Sequence, residues 1–395
     1  MPESVRYDAV VVGAGLIGAV AALGAADQGL QVLVVDRQAP APGVGRLGID
    51  IRNIALSPAS RALLERVGAW RPEWAAAYRR MEVWEELGTR AMIFDAAEIG
   101  RRELGWIVEN GPPAAALWEA LQRHPNVTVL LGQVDAVAPG DSVVTVTVGD
   151  RAVPARLLIA ADGARSAVRE QLRVALETRP TGQTAVVTVV RCERPHEAVA
   201  LQRFLLDGPL ALLPSLDPHL CSVVWSQSTA QAERRLALSD AEFGHELARA
   251  LQHRLGAVMD VDRRSGLPLV QQLCRTFNPH PRVLLVGDAA HVLHPLAGLG
   301  ANVGFEDVRD LVTVLEGLGG GADPGTDGVW RAFDRRRGAR ARMMITAMSV
   351  LRQVYAQGDP LSQWLRNSAI GWLNRTVALK RQIVLEAMGL GPIAR

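Results

Sequence analysis

The chain has 395 residues, 49% of them apolar and 21% charged, with a formal net charge of +2. That balance describes a globular protein with enough chain for one large core or two moderate ones, and it excludes a disordered or fibrous molecule. So small a net charge, with arginines scattered along the chain, also argues against a nucleic-acid surface.

Residues 7–12 read as a short β-branched strand, 16–29 as an alanine-rich helix, and 31–35 as a second strand ending at Asp36. Within this unit Ala9 to Ala26 is a run of eighteen residues without a polar side chain, the length at which a membrane span is a candidate. Gly13, Gly15, Gly18 and Gly24 interrupt it. A buried parallel strand followed by a covered helix has the same hydropathy, so the run is read as a βαβ unit opening a doubly wound sheet. Residues 40–50 form a Pro/Gly-rich loop, and 58–67 have the spacing of a short amphipathic helix. Polarity alternates over 81–94 as in strands, and Pro112 and Pro113 suit the start of a helix over 114–122.

Strands over 127–131, 143–148 and 157–160 belong with the first unit. The closely spaced strands 184–190, 201–206, 210–213 and 220–225 have the pattern of an antiparallel sheet and suggest a second domain. A last apolar strand spans 283–286, and beyond Gly304 the pattern is helical apart from a Gly-rich loop over 317–328. The expected organisation is a discontinuous first domain (1–80, 100–180 and 281–330), a sheet domain (81–99 and 181–280) and a helical region (331–395). A ligand is expected in the cleft between the first two. Cys192, Cys221 and Cys274 are odd in number and far apart, so neither a disulfide framework nor a zinc site is indicated. With no basic, apolar leader in residues 1–6, a reducing cytoplasm is expected.

Gly13-Ala14-Gly15-Leu16-Ile17-Gly18 follows a strand and opens a helix, so bare backbone can approach a pyrophosphate whose charge faces the helix N-terminus. Asp36, eighteen residues after Gly18, stands where a carboxylate accepts hydrogen bonds from an adenosine ribose. The alternative is that these glycines merely allow close packing of helix on sheet. The turn does not tell FAD from NAD; the segment Arg282 to Asn302, RVLLVGDAAHVLHPLAGLGAN, does. Its strand ends at Gly287, Asp288 follows where a carboxylate can bind a ribityl hydroxyl, and a Gly-rich loop from Pro295 leads into a helix from about Val303. Such a helix N-terminus places N–H groups near flavin N1 and O2, where negative charge develops on reduction. Ala161-Asp162-Gly163-Ala164-Arg165-Ser166 reads as a tight turn capping a helix from Ala167, with Asp162 or Ser166 as the cap. His291 and His294 form one His-x-x-His without further ligands, so no metal is expected and both are read as shaping the loop before Pro295. Most of the nine tryptophans, Trp84 and Trp225 among them, are expected in the core.

Together these segments resemble the group A aromatic flavoprotein hydroxylases and, more narrowly, the ubiquinone-biosynthesis hydroxylases that act on polyprenylated phenols. The narrower resemblance rests on DIRNIALSPAS at 50–60, MEVW at 81–84, LGWIVEN at 104–110 and EALQRHPNVTV at 119–129. It continues through RPHEAVALQRF at 194–204, GPLALLPSLDPHLCSVVWS at 208–226, GDAAHVLHPLAGLGANVGFEDV at 287–308 and ALKRQIVLEAMGL at 378–390. It spans nearly the whole chain. The DPHLCSVVWS stretch is most like members that hydroxylate ring carbon 5.

The resemblance implies an α/β fold, α+β overall: a GR2-type FAD-binding Rossmann-like domain with an inserted antiparallel-sheet substrate domain and a helical C-terminus. It implies FAD as cofactor, NADPH or NADH as electron donor, and O2 and a polyprenylated phenol as substrates. Carried over position by position, Gly13, Gly15, Gly18 and Asp36 hold the ADP half, and Arg52 contacts the cofactor from the loop after the second strand. Asp162 lies near the pyrophosphate and the route of the nicotinamide donor, while Asp288, Gly300, Ala301 and Asn302 hold ribityl and isoalloxazine. Ala14, Ile17, Arg37, Asn110, Val134, Pro295 and Gly298 are cofactor-binding positions on the same ground. No side chain is expected to act as a catalytic acid or base, because the flavin carries the oxygen chemistry.

The chain departs from the family at Leu299, where glutamine is usual, and at Thr181, where a tyrosine-like position falls. A greasy tail on the substrate implies peripheral contact with the inner membrane. Arg335, Arg336, Arg337, Arg340 and Arg342 beside apolar 343–350 are the candidate surface, and a solvated charged face accounts for them equally. A complex of ubiquinone-forming enzymes is a further expected partner. The alternatives are action on another ring position or another aromatic, and a non-catalytic FAD-binding subunit. A halogenase is disfavoured, since no W-x-W-x-I-P occurs.

Overall fold

The computed structural model describes residues 7–41, 43–87, 91–293, 300–319, 321–356, 376, 381–382, 384–386 and 388–391. In chain order β1 (Tyr7–Val12), α1 (Leu16–Ala26) and β2 (Val32–Asp36) form the first βαβ unit. Then come β3 (Asn53–Leu56), α2 (Pro58–Arg66), β4 (Ala75–Tyr78), β5 (Arg80–Glu85), β6 (Met92–Asp95), β7 (Gly105–Glu109) and α3 (Gly111–Arg123). The middle of the chain gives β8 (Val127–Leu131), β9 (Val134–Pro139), β10 (Val144–Val148), β11 (Arg151–Ala160), α4 (Ala167–Gln171), β12 (Leu176–Cys192), β13 (Val199–Leu205), β14 (Gly208–Pro214) and β15 (Leu220–Ser228). Last are α5 (Thr229–Leu236), α6 (Asp240–Ala250), β16 (Val258–Val261), β17 (Ser265–Cys274), β18 (Val283–Leu285), β19 (His291–Val292), α7 (Gly300–Leu318) and α8 (Arg331–Ala356).

The first sheet has seven strands in the order β8-β2-β1-β11-β10-β9, with β18 also paired to β11. Its central strands β1, β2, β11 and β18 are parallel. α1 packs beside α3 and α7 on this sheet, and Val10, Val11, Val34, Leu158 and Leu284 are all fully buried, so their strands read as unbroken apolar runs. The run 9–26 is therefore a core strand and helix, and among the described residues no helix is long and apolar enough to cross a membrane. Register decides where the site falls: Val12 stands opposite both Val35 and Ala160, so Gly13, Asp36 and Ala161 emerge side by side at one edge. α1 packs on α7 closely enough that a Cβ at Gly24 would collide with Val312.

The second sheet has nine strands, β19-β17-β12-β15-β14-β13-β5-β6, with β16 beside β12. Its backbone is β12, seventeen residues long, antiparallel to β15 along one edge and to β17 and then β16 along the other. Thr181 sits in a bulge of this strand, where its hydroxyl donates to Leu269 O at 2.6 Å and accepts from Gln183 N at 3.2 Å. α5 and α6 cover one face, over a cluster containing Trp84, Leu201, Trp225, Phe243 and Leu247. The core placement expected for Trp84 and Trp225 holds: they are 4% and 2% exposed. All three cysteines are free and buried.

A third sheet, β3-β7-β4, was not anticipated. Its strands are four or five residues long, too short for an alternation to stand out. β9, β16, β17, α5 and α6 were likewise unassigned, and the last main helix of the cofactor side begins at Gly300, three residues before the expected Val303.

Candidate cofactor site

At the edge where β1, β2 and β11 end, a cleft of about 610 Å³ opens, lined by Gly13, Gly15, Asp36, Arg37, Val134 and Asp162 of the expected residues and by Gln133, Ala164 and Arg165 besides. The three glycines of the first turn divide the two roles weighed for them. Gly13 has φ +99°, and a Cβ there would strike the Ala161 carbonyl; a Cβ at Gly18 would strike the Gly13 carbonyl oxygen. Those two serve close packing. A Cβ at Gly15 would meet nothing within 4 Å, so the backbone at the start of α1 faces open space. Gly15 is the N-cap of α1, with no side-chain cap and no acidic residue in the first turn, which leaves the helix's first amides for a ligand.

Asp36 shapes this turn as well as rimming it: one carboxylate oxygen accepts from Ala14 N at 2.6 Å and the other from Gln38 N at 3.3 Å. In the 161–166 turn both proposed caps operate. Asp162 Oδ2 accepts from Val168 N at 3.2 Å and Ser166 Oγ accepts from Arg169 N at 3.0 Å, while Asp162 Oδ1 is buried with no hydrogen-bond partner. Arg169, 7% exposed, donates to Ala164 O at 2.7 Å and Ala289 O at 3.0 Å, tying this turn to the Gly287–Ala289 turn.

The Gly287–Ala289 turn is a single 3-10 turn with Gly287 at φ +58°. Asp288 lies in the middle of this turn with an exposed side chain. Loss of hydration beside the protein raises its carboxyl above the ordinary range, His291 opposing and the Asp307 charge adding to the effect. The Ile17 side chain does not line the 610 Å³ cleft. It wedges between Gly287 and Gly304, where added Cβ atoms would lie 3.1 and 2.9 Å from it. Gly300 and Ala301 form the first turn of α7. The Asn302 side chain is committed elsewhere: it donates to Ala55 O at 2.8 Å and accepts from Ser57 N at 2.9 Å and Ser60 Oγ at 2.7 Å, stapling α7 to the start of α2. Pro295, Gly298, His294 and Leu299 lie outside the described residues.

Arg52 and Asn110 are not among the residues lining the cleft. They meet at the end of the β3–β7 pair, where Asn110 N donates to Arg52 O at 3.0 Å and the Arg52 guanidinium reaches the buried Asp50 carboxylate at 3.1 Å.

The arginine cluster of α8 requires a correction. Arg337 and Arg340 are 2% and 7% exposed and pair internally with Asp307 and Glu306 of α7, so they do not belong to a membrane-facing patch. Arg336 pairs with Asp310 yet stays exposed, as do Arg335 and Arg342. The signal for this was in the sequence: Glu306, Asp307 and Asp310 share a helix with Phe305, Val308 and Leu311, and acids at core positions need buried partners. His291, expected to shape its loop, is 2% exposed, stacks on Phe277 and bonds Asp307. Among the described residues no group of side chains could hold a metal ion.

On the second sheet, alternation along β13 turns Leu201 and Arg203 toward α6, where Arg203 donates to Ala250 O, and so turns Gln202 to the opposite face. Leu213 and Ser222 stand opposite each other on that face, Leu213 packing with Tyr78, Ala55 and Ile107. Burial pushes the Tyr78 hydroxyl up to about 12, so it stays neutral. Gln202 Oε1 and Ser222 Oγ are buried without a partner on this face, which Leu213 and Val224 share with the buried Glu85 and Ser226. Sequence reading missed both, because a polar residue in an alternating strand reads as solvent-facing.

Residues 114–346 match the family model described as "FAD binding domain". The chain is 34% identical to 3-demethoxyubiquinol 3-hydroxylase of Escherichia coli, covering 96% of this chain and 98% of that protein. It is 32% identical to ubiquinone hydroxylase UbiL of Rhodospirillum rubrum, with 98% and 91% covered. With the human ubiquinone biosynthesis monooxygenase COQ6 it shares 29% identity, with 96% and 90% covered. Among solved structures, p-nitrophenol 4-monooxygenase PnpA from Pseudomonas putida has the same fold, with a TM-score of 0.76 at 20% identity over 98% of each chain. PqsL of Pseudomonas aeruginosa in complex with 2-aminobenzoylacetate gives 0.75 at 19% identity, over 92% of this chain and 99% of that one.

Proposed function

The chain belongs to the FAD-dependent hydroxylases of ubiquinone biosynthesis, within the group A flavoprotein monooxygenases, and from that premise we propose that it hydroxylates the ring of a polyprenylated phenol with NAD(P)H and O2. The observation that carries the cofactor side of this reading is the pairing of an open Gly15 backbone with an unpartnered, buried Asp162 oxygen in one cleft. These features suit the ADP half of FAD: the α1 N-terminus attracts the pyrophosphate, and Asp36 on the rim accepts from a ribose hydroxyl. Asp288 accepts from ribityl, and the N-terminus of α7 at Gly300 and Ala301 favours negative charge on the flavin ring. Bound FAD supplies hydride acceptance and O2 activation.

The protein's own work is binding and exclusion of water. In this reading the inward face of the second sheet covers the ring, with Gln202 and Ser222 bonding ring oxygens beside Leu213. The resemblance of residues 217–226 supports attack at ring carbon 5. A second reading is favoured by the name of the Escherichia coli relative, a 3-hydroxylase of a demethoxyubiquinol at 34% identity. Peripheral contact with a bilayer belongs to the same proposal. It now rests on exposed Met343 and Val350 of α8 beside Arg335 and Arg342.

The test uses the FAD-loaded protein, NAD(P)H, 18O2 and short-tailed prenylphenols, with or without the ring substituents of a demethoxyubiquinol. The product should carry one labelled oxygen, and its NMR spectrum identifies the carbon attacked. An unlabelled product, or no product with any ring, overturns the reading.

A further inference from the structure

Two segments assigned above to FAD, the Gly287–Ala289 turn and α7, meet at a buried carboxylate whose partners all belong to the protein. Asp307, fully buried in α7, accepts from Gly287 N at 2.9 Å and from His291 Nε2 at 2.7 Å with one oxygen, and from Arg337 Nε at 2.6 Å with the other. Arg337 also donates to Val303 O at 3.1 Å and to Glu306 Oε2 at 3.1 Å, and Arg340 closes the network with two 3.0 Å bonds to Glu306. From the other side Ile17 of α1 packs on Gly287 and Gly304. Asp307 thus joins the turn bearing Asp288 to the first turns of α7 and to α8.

Stability alone is a weak reason for such a network, since well-packed apolar residues of similar volume often do as well as a buried ion pair or better. What the charges add is direction. A carboxylate that accepts the Gly287 amide and the His291 ring together leaves the tight turn one orientation.

We propose that Asp307 is a positioning residue for the flavin, fixing Asp288 relative to the α7 N-terminus through Gly287 and His291, and that Arg337 extends this hold to α8. The inference rests on the assignment of Asp288 and the α7 N-terminus to FAD. Asp307→Asn keeps the shape but puts an amide group where an acceptor was. In the full-length protein it should raise the FAD dissociation constant by roughly tenfold, as loss of a group that orients a ligand-holding residue does, and shift the flavin midpoint potential. Glu306→Gln, in the same network but off the turn, should lower the thermal midpoint comparably while leaving FAD affinity within about twofold and the potential unchanged. Arg337→Lys carries the test if Asp307→Asn does not fold, with a smaller change in the same direction.

Equal effects of Asp307→Asn and Glu306→Gln on FAD affinity and potential, or none from Asp307→Asn, overturn the proposal. Asp288→Asn separates the two levels. If it weakens FAD while Asp307→Asn does not, the positioning role alone is wrong; if it leaves FAD binding intact, the assignment beneath it is wrong.

Discussion

At Gly15 a methyl group would meet no atom within 4 Å, whereas at Gly18 it would strike the Gly13 carbonyl oxygen. Gly15 has φ −65°, which alanine adopts freely. Gly15→Ala should therefore leave the apoprotein's thermal midpoint nearly unchanged and weaken FAD binding, while Gly18→Ala should destabilise the fold by about 1–3 kcal/mol, the usual cost of overpacking, as read by urea denaturation. The G-x-G-x-x-G spacing made the turn legible but not this division of labour, because the atoms that crowd Gly13 belong to Ala161, far along the chain. Asp288 gives a second residue-scale prediction. The surrounding protein raises its carboxyl although the side chain is exposed, so the folded state holds the proton more tightly than the unfolded chain, and stability falls as pH rises through the folded pKa. Asp288→Asn should raise the thermal midpoint of the apoprotein at pH 7 and lower its affinity for FAD. A lower midpoint would show that the carboxylate is not under this strain.

At the scale of elements, α7 and α8 carry the main misreading. Arg337 lies thirty residues from Asp307, and a run of arginines beside apolar residues looks alike whether it meets lipid or buried acids. Only the acids within apolar α7 hinted at the answer. Burial by itself would push the Asp307 carboxyl up, but the charges and hydrogen bonds of His291 and Arg337 outweigh it and hold the group below the ordinary carboxylate range. Its contribution to stability is thus complete above the unfolded pKa and is lost as pH falls through the lower folded one. Urea titrations from pH 7 to pH 3 should show a steeper acid loss for the native chain than for Asp307→Asn. Arg337→Met takes the cation from between buried Asp307 and Glu306, leaving them only His291, Gly287 N and Arg340, and should cost about 3–5 kcal/mol at pH 7. The short strands β3, β4 and β7 were illegible for a different reason, since four residues give only two inward positions.

For the whole molecule, the parallel sheet and the inserted antiparallel sheet were both legible, because β-branched runs and regular alternation are properties of single strands. How the pieces join was less so: β5 pairs in parallel with β13, more than a hundred residues downstream, through contacts that no local pattern records. That junction helps build the face carrying Gln202. If Gln202 binds the ring as proposed, Gln202→Leu should raise KM for the proposed phenol about tenfold, in line with roughly 1–3 kcal/mol for a lost buried hydrogen bond, and increase NAD(P)H consumed per product formed. FAD affinity should not move; if it does, Gln202 supports the fold and not the substrate.

The three buried cysteines make the molecule its own gauge of opening. Cys274, the last residue of β17, donates to Ala289 O at 3.5 Å beside the turn that holds Asp288 and packs in the core of the first sheet, and burial pushes its thiol up to about 11, while Cys192 and Cys221 pack in the separate cluster beneath α5 and α6. A thiol reagent can reach any of them only when the surrounding structure breathes. If FAD slows the labelling of Cys274 far more than that of Cys192 and Cys221, the cofactor tightens one neighbourhood; equal slowing would mean that the two cores open as one unit.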